Sequence, residues 1–126
     1  MPFEIVWEPH GLYKKYTGCV TGQDVIQSVE ATMGDERFDE LLYTLNDYLD
    51  VTGLDMGASA IDQVVAYALG AHVQRPKGRI AIAATHPLVI GMIQKFSSVQ
   101  GDGYPIAIFS TLAEARDWAS QITGDA

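Results

Sequence analysis

An uninterrupted apolar run, Ile80-Ala81-Ile82-Ala83-Ala84, is the feature that most constrains the fold of this chain. A strand that is apolar at every position is typically buried on both faces, whereas a strand with one solvated face alternates apolar and polar residues. Burial on both faces requires helices on each side of the sheet, as in parallel sheets with helical crossovers. We therefore predict a strand over Arg79–Thr85 in a mostly parallel α/β sheet.

The N-terminal part of the chain predicts a hairpin and a first helix. Phe3–Glu8 alternates apolar and polar residues, and Pro9-His10-Gly11 forms a turn into a second strand over Leu12–Val20. These two strands are expected to pair as an antiparallel hairpin. Thr21 then has the character of a helix N-cap, and Gly34-Asp35 ends that helix.

The rest of the chain repeats strand and helix. Leu41–Leu49 is rich in β-formers and predicts the third strand, and the glycine-containing segment Asp50–Ser59 predicts a loop before the second helix. The remaining elements are a helix from Ile61 to before Pro76, a helix beginning at His86-Pro87, a strand over Tyr104–Phe109 and a final helix opened by the capping box Thr111-Leu112-Ala113-Glu114. The predicted order is β-β-α-β-α-β-α-β-α, in a single domain over residues 1–126.

The charge of the chain limits its partners. It has 16 acidic and 8 basic residues, a net charge of −8, so it repels nucleic acids and anionic membranes. The basic clusters Lys14-Lys15 and Arg75–Arg79 are expected to be solvated. No apolar run is long enough to span a bilayer, no secretory signal begins the chain, and the single cysteine cannot form an internal disulfide. These features favour a cytoplasmic protein without stable membrane insertion.

Four segments, in their order and spacing, resemble a known family: Phe3–Glu8, Asn46-Asp47-Tyr48, Arg79–Thr85 and Phe109–Ala115. Together they resemble the STAS domain, the fold of bacterial anti-sigma-factor antagonists and of the regulatory tails of sulfate transporters. More narrowly, the chain resembles the uncharacterised stand-alone SpoIIAA-like proteins, and the likeness spans essentially its whole length. The resemblance implies a non-enzymatic regulatory or binding module that contacts a protein partner at the loop after the third strand.

The resemblance also singles out Ser59. Signalling STAS domains carry an Asp-Ser-Ser/Thr-Gly motif in this loop, and its serine or threonine is phosphorylated. The present chain reads Gly57-Ala58-Ser59-Ala60-Ile61, so Ser59 matches a serine of the motif, while the flanking aspartate and glycine are missing. Ser59 is therefore a candidate phosphosite, and the alternative is that it only caps the second helix.

No sequence motif indicates a catalytic, metal-binding or phosphate-binding site. The three histidines, His10, His72 and His86, lack close metal-ligand spacing, and His72 is expected to be a core residue. Cys19 has no partner for a catalytic pair and is expected to be a small buried residue. Gly-x-Ser-x-Gly and phosphate-binding glycine motifs are absent from the sequence. We expect no catalytic residue, metal or cofactor, and an enzyme of unknown reaction ranks third among the functions.

Polar residues are predicted to gather at one edge of the sheet. The carboxyl ends of parallel strands are where open α/β sheets usually bind ligands, and the starts of the following helices direct free amides there. The predicted binding or interaction surface consists of Asn46, Asp47, Thr52, Asp55, Ser59, Thr85, His86 and Ser110.

An apolar ligand is the alternative to a protein partner. Methionine, leucine and aromatic residues lie on or beside the predicted helices: Met33, Met56, Tyr67, Leu88, Met92 and Phe96. The related architecture of the CRAL-TRIO lipid-binding fold opens a pocket between such helices and the sheet, although ordinary core packing accounts for the same residues. On the hairpin, Trp7, Tyr13 and Tyr16 either cover the sheet edge or form a homodimer contact.

Overall fold

Five strands form one mixed sheet in the order β1-β2-β3-β4-β5 in the computed structural model, which describes residues 3–57, 59–74, 78–101 and 103–124. The strands are β1 Phe3–Trp7, β2 Gly11–Thr21, β3 Tyr43–Asp55, β4 Arg79–Ala83 and β5 Ile106–Phe109. β1 is antiparallel to β2, and every other neighbouring pair is parallel. The predicted hairpin joined to a mostly parallel sheet is confirmed.

The helices alternate with the parallel strands. They are α1 Gly22–Met33, α2 Ala60–Gln74, α3 Pro87–Gln100 and α4 Leu112–Gly124, and a short 3₁₀ helix, Glu36–Glu40, precedes β3. The predicted order β-β-α-β-α-β-α-β-α is confirmed, whereas the 3₁₀ helix was not predicted. No helix in these described ranges is both long and apolar enough to cross a membrane.

Side-chain caps set where three of the helices begin. The Thr21 Oγ1 accepts a hydrogen bond from the Asp24 amide at 3.2 Å, and the Asp24 carboxylate accepts one from the Thr21 amide at 2.8 Å. The Thr111 Oγ1 likewise accepts from the Glu114 amide at 3.2 Å, as the capping-box motif predicts. His86 Nδ1 accepts from the Leu88 amide at the start of α3, where the following proline occupies the first turn.

Strand β4, which lies between β3 and β5, is buried on both faces, as its apolar sequence predicts. Ala81 and Ala83 face α4 and pack with Leu45, Ala115 and Ala119. These small side chains let α4 lie close to the sheet. Ile82 faces the opposite side, which is covered by α1, α2 and α3. The two core clusters therefore lie on opposite faces of one sheet.

β3 is longer than predicted and continues to Asp55. The long strand β2 supplies its partner, since Thr17–Thr21 pairs with Asp50–Asp55 across register shifts that leave Thr52 without a paired residue. The prediction of a loop from Asp50 is therefore wrong. β4 pairs with β3 only from Tyr43 to Asp47, so Thr17–Thr21 and Asp50–Asp55 form a two-stranded extension, called the ribbon below.

The other predicted boundaries need smaller corrections. β4 ends at Ala83 rather than Thr85, and β5 begins at Ile106 rather than Tyr104. The predicted core position of the His72 side chain and residues 75–77 of the predicted solvated cluster Arg75–Arg79 lie outside the described residues. Arg79 is half-buried and packs on Trp118, so the prediction of a solvated residue is wrong there.

Candidate functional site

A cavity of about 150 Å³ lies between α2 and the sheet. α2 packs against α1 on one side and α3 on the other, while α1 and α3 are the helices that approach the strands on this face. The space left beneath α2 is lined mainly by apolar side chains from all three helices. An apolar cavity of this volume holds a molecule about the size of benzene.

The apolar residues named from the sequence lie around this cavity. Five of the six line it: Met33, Met56, Tyr67, Met92 and Phe96. Leu88 does not, because it lies at the start of α3 with 56% of its surface exposed. The predicted pocket between helices and sheet is therefore present, and its chemistry depends on the strands that form its floor.

The part of the cavity floor that β2 and β3 form is polar. Lys14 on β2 is in register with Asn46 on β3, so both side chains lie on the face that α1, α2 and α3 cover. Tyr16 and Tyr48 follow on the same face, with their rings stacked at 4.5 Å between centroids and 1° between planes. These residues, Lys14, Tyr16, Asn46 and Tyr48, are called the polar floor below.

Lys14 is the unusual member of the polar floor. Only 5% of its surface is exposed, and no described residue accepts a hydrogen bond from its ammonium or forms an ion pair with it. Burial lowers the pKa of Lys14 to about 7. The prediction of a solvated lysine is wrong at Lys14, because side chains alternate along β2. Its neighbour Lys15 faces the other side and pairs with Asp50 at 3.0 Å.

The other polar groups of the floor are neutral. Asn46 is 8% exposed, and its amide makes no hydrogen bond within the part of the chain that the structure describes. The Tyr16 and Ser28 hydroxyls are hydrogen-bonded at 2.6 Å, and burial raises the pKa of Tyr16 to about 12. Burial also raises the pKa of Tyr48 well above its ordinary value. Lys14 is therefore the charged group of the floor.

Asp47 has a structural role on the opposite face of the sheet. Its Oδ2 accepts a hydrogen bond from the Tyr13 hydroxyl at 2.6 Å, and its Oδ1 accepts one from the Leu49 amide at 3.0 Å. The prediction that Asn46 and Asp47 lie together at the carboxyl end of β3 is wrong. Both are buried within the strand, and adjacent strand residues point to opposite faces.

The remaining predicted residues do lie toward the carboxyl end of the sheet. Thr85, His86 and Ser110 follow β4 and β5, which remain hydrogen-bonded there through the Ala84 amide and the Phe109 carbonyl at 2.9 Å. Ser59 is exposed directly before α2, and its carbonyl accepts from the Gln63 amide at 3.2 Å. The Ser59 hydroxyl accepts a hydrogen bond from the Gln63 side-chain amide at 3.4 Å. It therefore does not cap the backbone amides of α2, which was the alternative given for Ser59.

The ribbon carries the other two predicted residues. Thr52 and Asp55 belong to β3 rather than to a loop, and both are exposed. Cys19 is also exposed, on the β2 strand of the ribbon. The prediction that Cys19 is buried is wrong, because the outer face of the ribbon extends beyond the helix-covered sheet. Within the described ranges, no three histidine, cysteine, aspartate or glutamate side chains gather in a way that would hold a metal ion.

Solved structures share this arrangement, although no family model and no curated protein matches the sequence. The anti-sigma factor antagonist SpoIIAA in its unphosphorylated form has a TM-score of 0.61 and 14% identity, covering 92% of this chain and 96% of SpoIIAA. The phosphorylated form of the Bacillus cell-fate determinant SpoIIAA has a TM-score of 0.61 and 15% identity, covering 92% and 97%. An uncharacterised DUF3478 protein with a SpoIIAA-like fold from Shewanella loihica has a TM-score of 0.58 and 18% identity, covering 93% of each chain.

The chain has the SpoIIAA-like fold. The resemblance stated from the sequence is therefore confirmed for the architecture. Within this SpoIIAA-like fold, sequence reasoning missed the polar floor apart from Asn46. The sequence of β2 does indicate that Lys14 is buried. Side chains two residues apart in a strand lie on the same face, so Lys14 shares a face with Leu12 and Tyr16, which are both fully buried.

Proposed function

We propose that this protein is a cytoplasmic, non-enzymatic regulatory module of STAS type that acts by binding a partner protein. The support from its relatives is a likeness over more than nine-tenths of the chain to SpoIIAA, which is an anti-sigma factor antagonist with an unphosphorylated and a phosphorylated form. The observation that carries the proposal is the ribbon, which leads directly to Ser59 and the start of α2.

The proposed contact surface is the exposed side of the ribbon together with Ser59. Thr52 and Asp55 are exposed on β3. Past Asp47, β3 has no strand pairing with β4, and the proposed contact uses the backbone edge over Asp50–Asp55 that this leaves without a strand partner. An open strand edge with exposed polar side chains is a common mode of recognition between proteins.

The homodimer through the hairpin stays a prediction, in which Tyr16 no longer takes part because it is buried.

Position-specific photo-crosslinking in the native cell tests the contact surface. A photoreactive residue at Thr52 is expected to give a discrete adduct, whereas the same residue at Asp117, which is exposed on α4, is expected to give none. Asp55→Lys should reduce the adduct at Thr52, because it reverses a charge within the surface. Equal adducts at both positions, or none at either, would contradict a partner at the ribbon.

Ser59 is proposed as the site at which such a contact is switched. It is exposed before α2, and a phosphate there would lie at a helix start, where backbone amides favour negative charge. Phosphopeptide mass spectrometry of the protein from its own cells is expected to find phosphate on Ser59. Its absence under all growth conditions would leave the contact proposal intact and remove the switch.

A second function, the carriage or sensing of a small apolar ligand, is favoured by one observation. That observation is the cavity beneath α2, which is lined mainly by apolar side chains and has a volume of about 150 Å³. A core without a ligand function is packed closely and has few voids larger than a water molecule.

Filling the cavity tests the second function. Ala68 on α2 lines the cavity, so Ala68→Phe is expected to abolish both the retained mass in native mass spectrometry and any thermal shift with fatty acids. Ala66 is exposed on the same helix, and Ala66→Phe serves as the matched control that should behave as the original protein. If the unaltered protein retains no mass and no fatty acid shifts its melting temperature, the ligand function is wrong.

A further inference from the structure

We infer that the cavity beneath α2 binds an apolar molecule with one carboxylate head, which the Lys14 ammonium and the Asn46 amide hold at the polar floor. The inference rests on the second proposed function and specifies the chemical class of its ligand. It depends on the charge of the cavity, on the absence of a partner for Lys14 and on the arrangement of polar and apolar walls.

The charge of the cavity is opposite to that of the protein. The chain has 16 acidic and 8 basic residues, yet none of the described residues lining the cavity is aspartate or glutamate. Arg79 borders the cavity, but its guanidinium donates to the Trp118 carbonyl at 3.0 Å and stacks over the Trp118 ring toward α4. Lys14 is therefore the cation that an anionic ligand meets in this cavity.

Lys14 has no counter-ion among the described residues, although its side chain is buried. A buried charge is stable when it is paired and hydrogen-bonded, and an unpaired buried ammonium is unfavourable. Lys14 has 5% of its surface exposed and no partner among the described residues. A carboxylate entering the cavity would pair with this ammonium. The Asn46 amide, in register beside Lys14 and also without a partner, can donate a second hydrogen bond.

The arrangement of the walls orients the ligand. The polar floor lies on the strands, and the apolar walls come mainly from the helices, so the head lies against Lys14 while the body extends toward α2. One ammonium and one amide match a single negative charge, whereas a phosphate dianion would leave charge and acceptor oxygens unpaired. Tyr16 supplies no additional charge because burial raises its pKa to about 12, and its hydroxyl is hydrogen-bonded to Ser28.

Paired probes test the carboxylate head. The probes are the straight-chain carboxylates from butanoate to dodecanoate, each compared with its primary amide by calorimetric titration at neutral pH. At the best chain length, the unaltered protein is expected to bind the carboxylate roughly tenfold to a hundredfold more tightly than the amide. Lys14→Met should remove this preference, so that the carboxylate binds no more tightly than the amide.

Lys15→Met is the matched control, because it removes the same charge from the adjacent residue on the opposite face. It should keep the full preference for carboxylate. Equal binding of carboxylate and amide by the unaltered protein, or a preference that survives Lys14→Met, would overturn the carboxylate head while leaving an apolar ligand function standing. If no probe of either kind binds the unaltered protein, both the head-group inference and the ligand function are overturned.

Discussion

Lys14 is the residue at which stability and binding oppose each other. Its side chain is buried between the sheet and the helices, its ammonium has no partner among the described residues, and burial lowers its pKa to about 7. The folded protein therefore releases the Lys14 proton above about pH 7, whereas the unfolded chain keeps it up to about pH 10. A residue that destabilises the empty protein in this way is a candidate for a role in binding.

We predict that Lys14→Met stabilises the empty protein, and more so at low pH. Between about pH 7 and pH 10 the unfolded chain binds a proton that folded Lys14 has released, so the stability of the unaltered protein rises with pH in that window. Lys14→Met should raise the free energy of unfolding by roughly 2–4 kcal/mol below pH 7, with a difference that shrinks toward pH 9.

Urea unfolding at several pH values measures this difference in the free energy of unfolding. Lys15→Met is the control, and it should not show the gain at low pH. Tyr16 and Tyr48 also line the cavity, but burial raises their pKa values, so neither titrates in the folded protein within this window. A difference between the original protein and Lys14→Met that does not vary from pH 6 to pH 9 would contradict the account of Lys14.

The burial of Lys14 can be predicted in part from the sequence. The period of two in β2 places Lys14 with Leu12 and Tyr16, which are fully buried. What local pattern cannot show is that both faces of β2 are partly covered, because the coverage comes from helices distant in the chain. For the same reason Asp47 was expected at an edge, although its partner Tyr13 lies 34 residues away and holds it on the α4 face.

At the scale of elements, α2 differs from the other helices. Its backbone packs on α1 and α3, while α1, α3 and α4 contact the strands directly. A helix whose backbone packs on neighbouring helices more than on the sheet is expected to open locally at a lower free energy than the rest of the fold. Gly70, in the interior of α2, weakens it further because glycine lowers helix stability.

Hydrogen exchange of the α2 amides measures this local opening. Gly70 has no neighbouring atom where a β-carbon would be added, so Gly70→Ala should slow exchange in α2 by an amount equivalent to about 0.5–1 kcal/mol. Gly91 in α3 has the same open surroundings, and Gly91→Ala is the control that should leave α2 exchange unchanged. Exchange of α2 as slow as that of α4, or an equal effect of both substitutions, would show that α2 does not open separately.

Element boundaries could be predicted less well than element types. Every predicted strand and helix is present, because each has its own period and caps. The end of β3 was placed at Leu49, since Gly53 and Gly57 are typical of a loop. The strand instead continues to Asp55 because the long β2 pairs with it, and this long-range pairing leaves no signal in the β3 sequence itself.

At the scale of the whole molecule, α2 connects the two proposed surfaces. It begins next to Ser59 and the ribbon, and it covers the cavity. The SpoIIAA-like fold therefore brings a proposed protein contact and a proposed ligand to the same helix. The prediction that residues 1–126 form a single domain, and the third-ranked enzyme of unknown reaction, stay predictions.

The most direct test of the central claim is a crystal structure of the protein with the tightest-binding of the straight-chain carboxylates. The account predicts the carboxylate at hydrogen-bonding distance, about 2.7–3.2 Å, from Lys14 Nζ, with the chain beneath α2. An empty cavity, or a ligand whose carboxylate points away from Lys14 toward solvent, would contradict it.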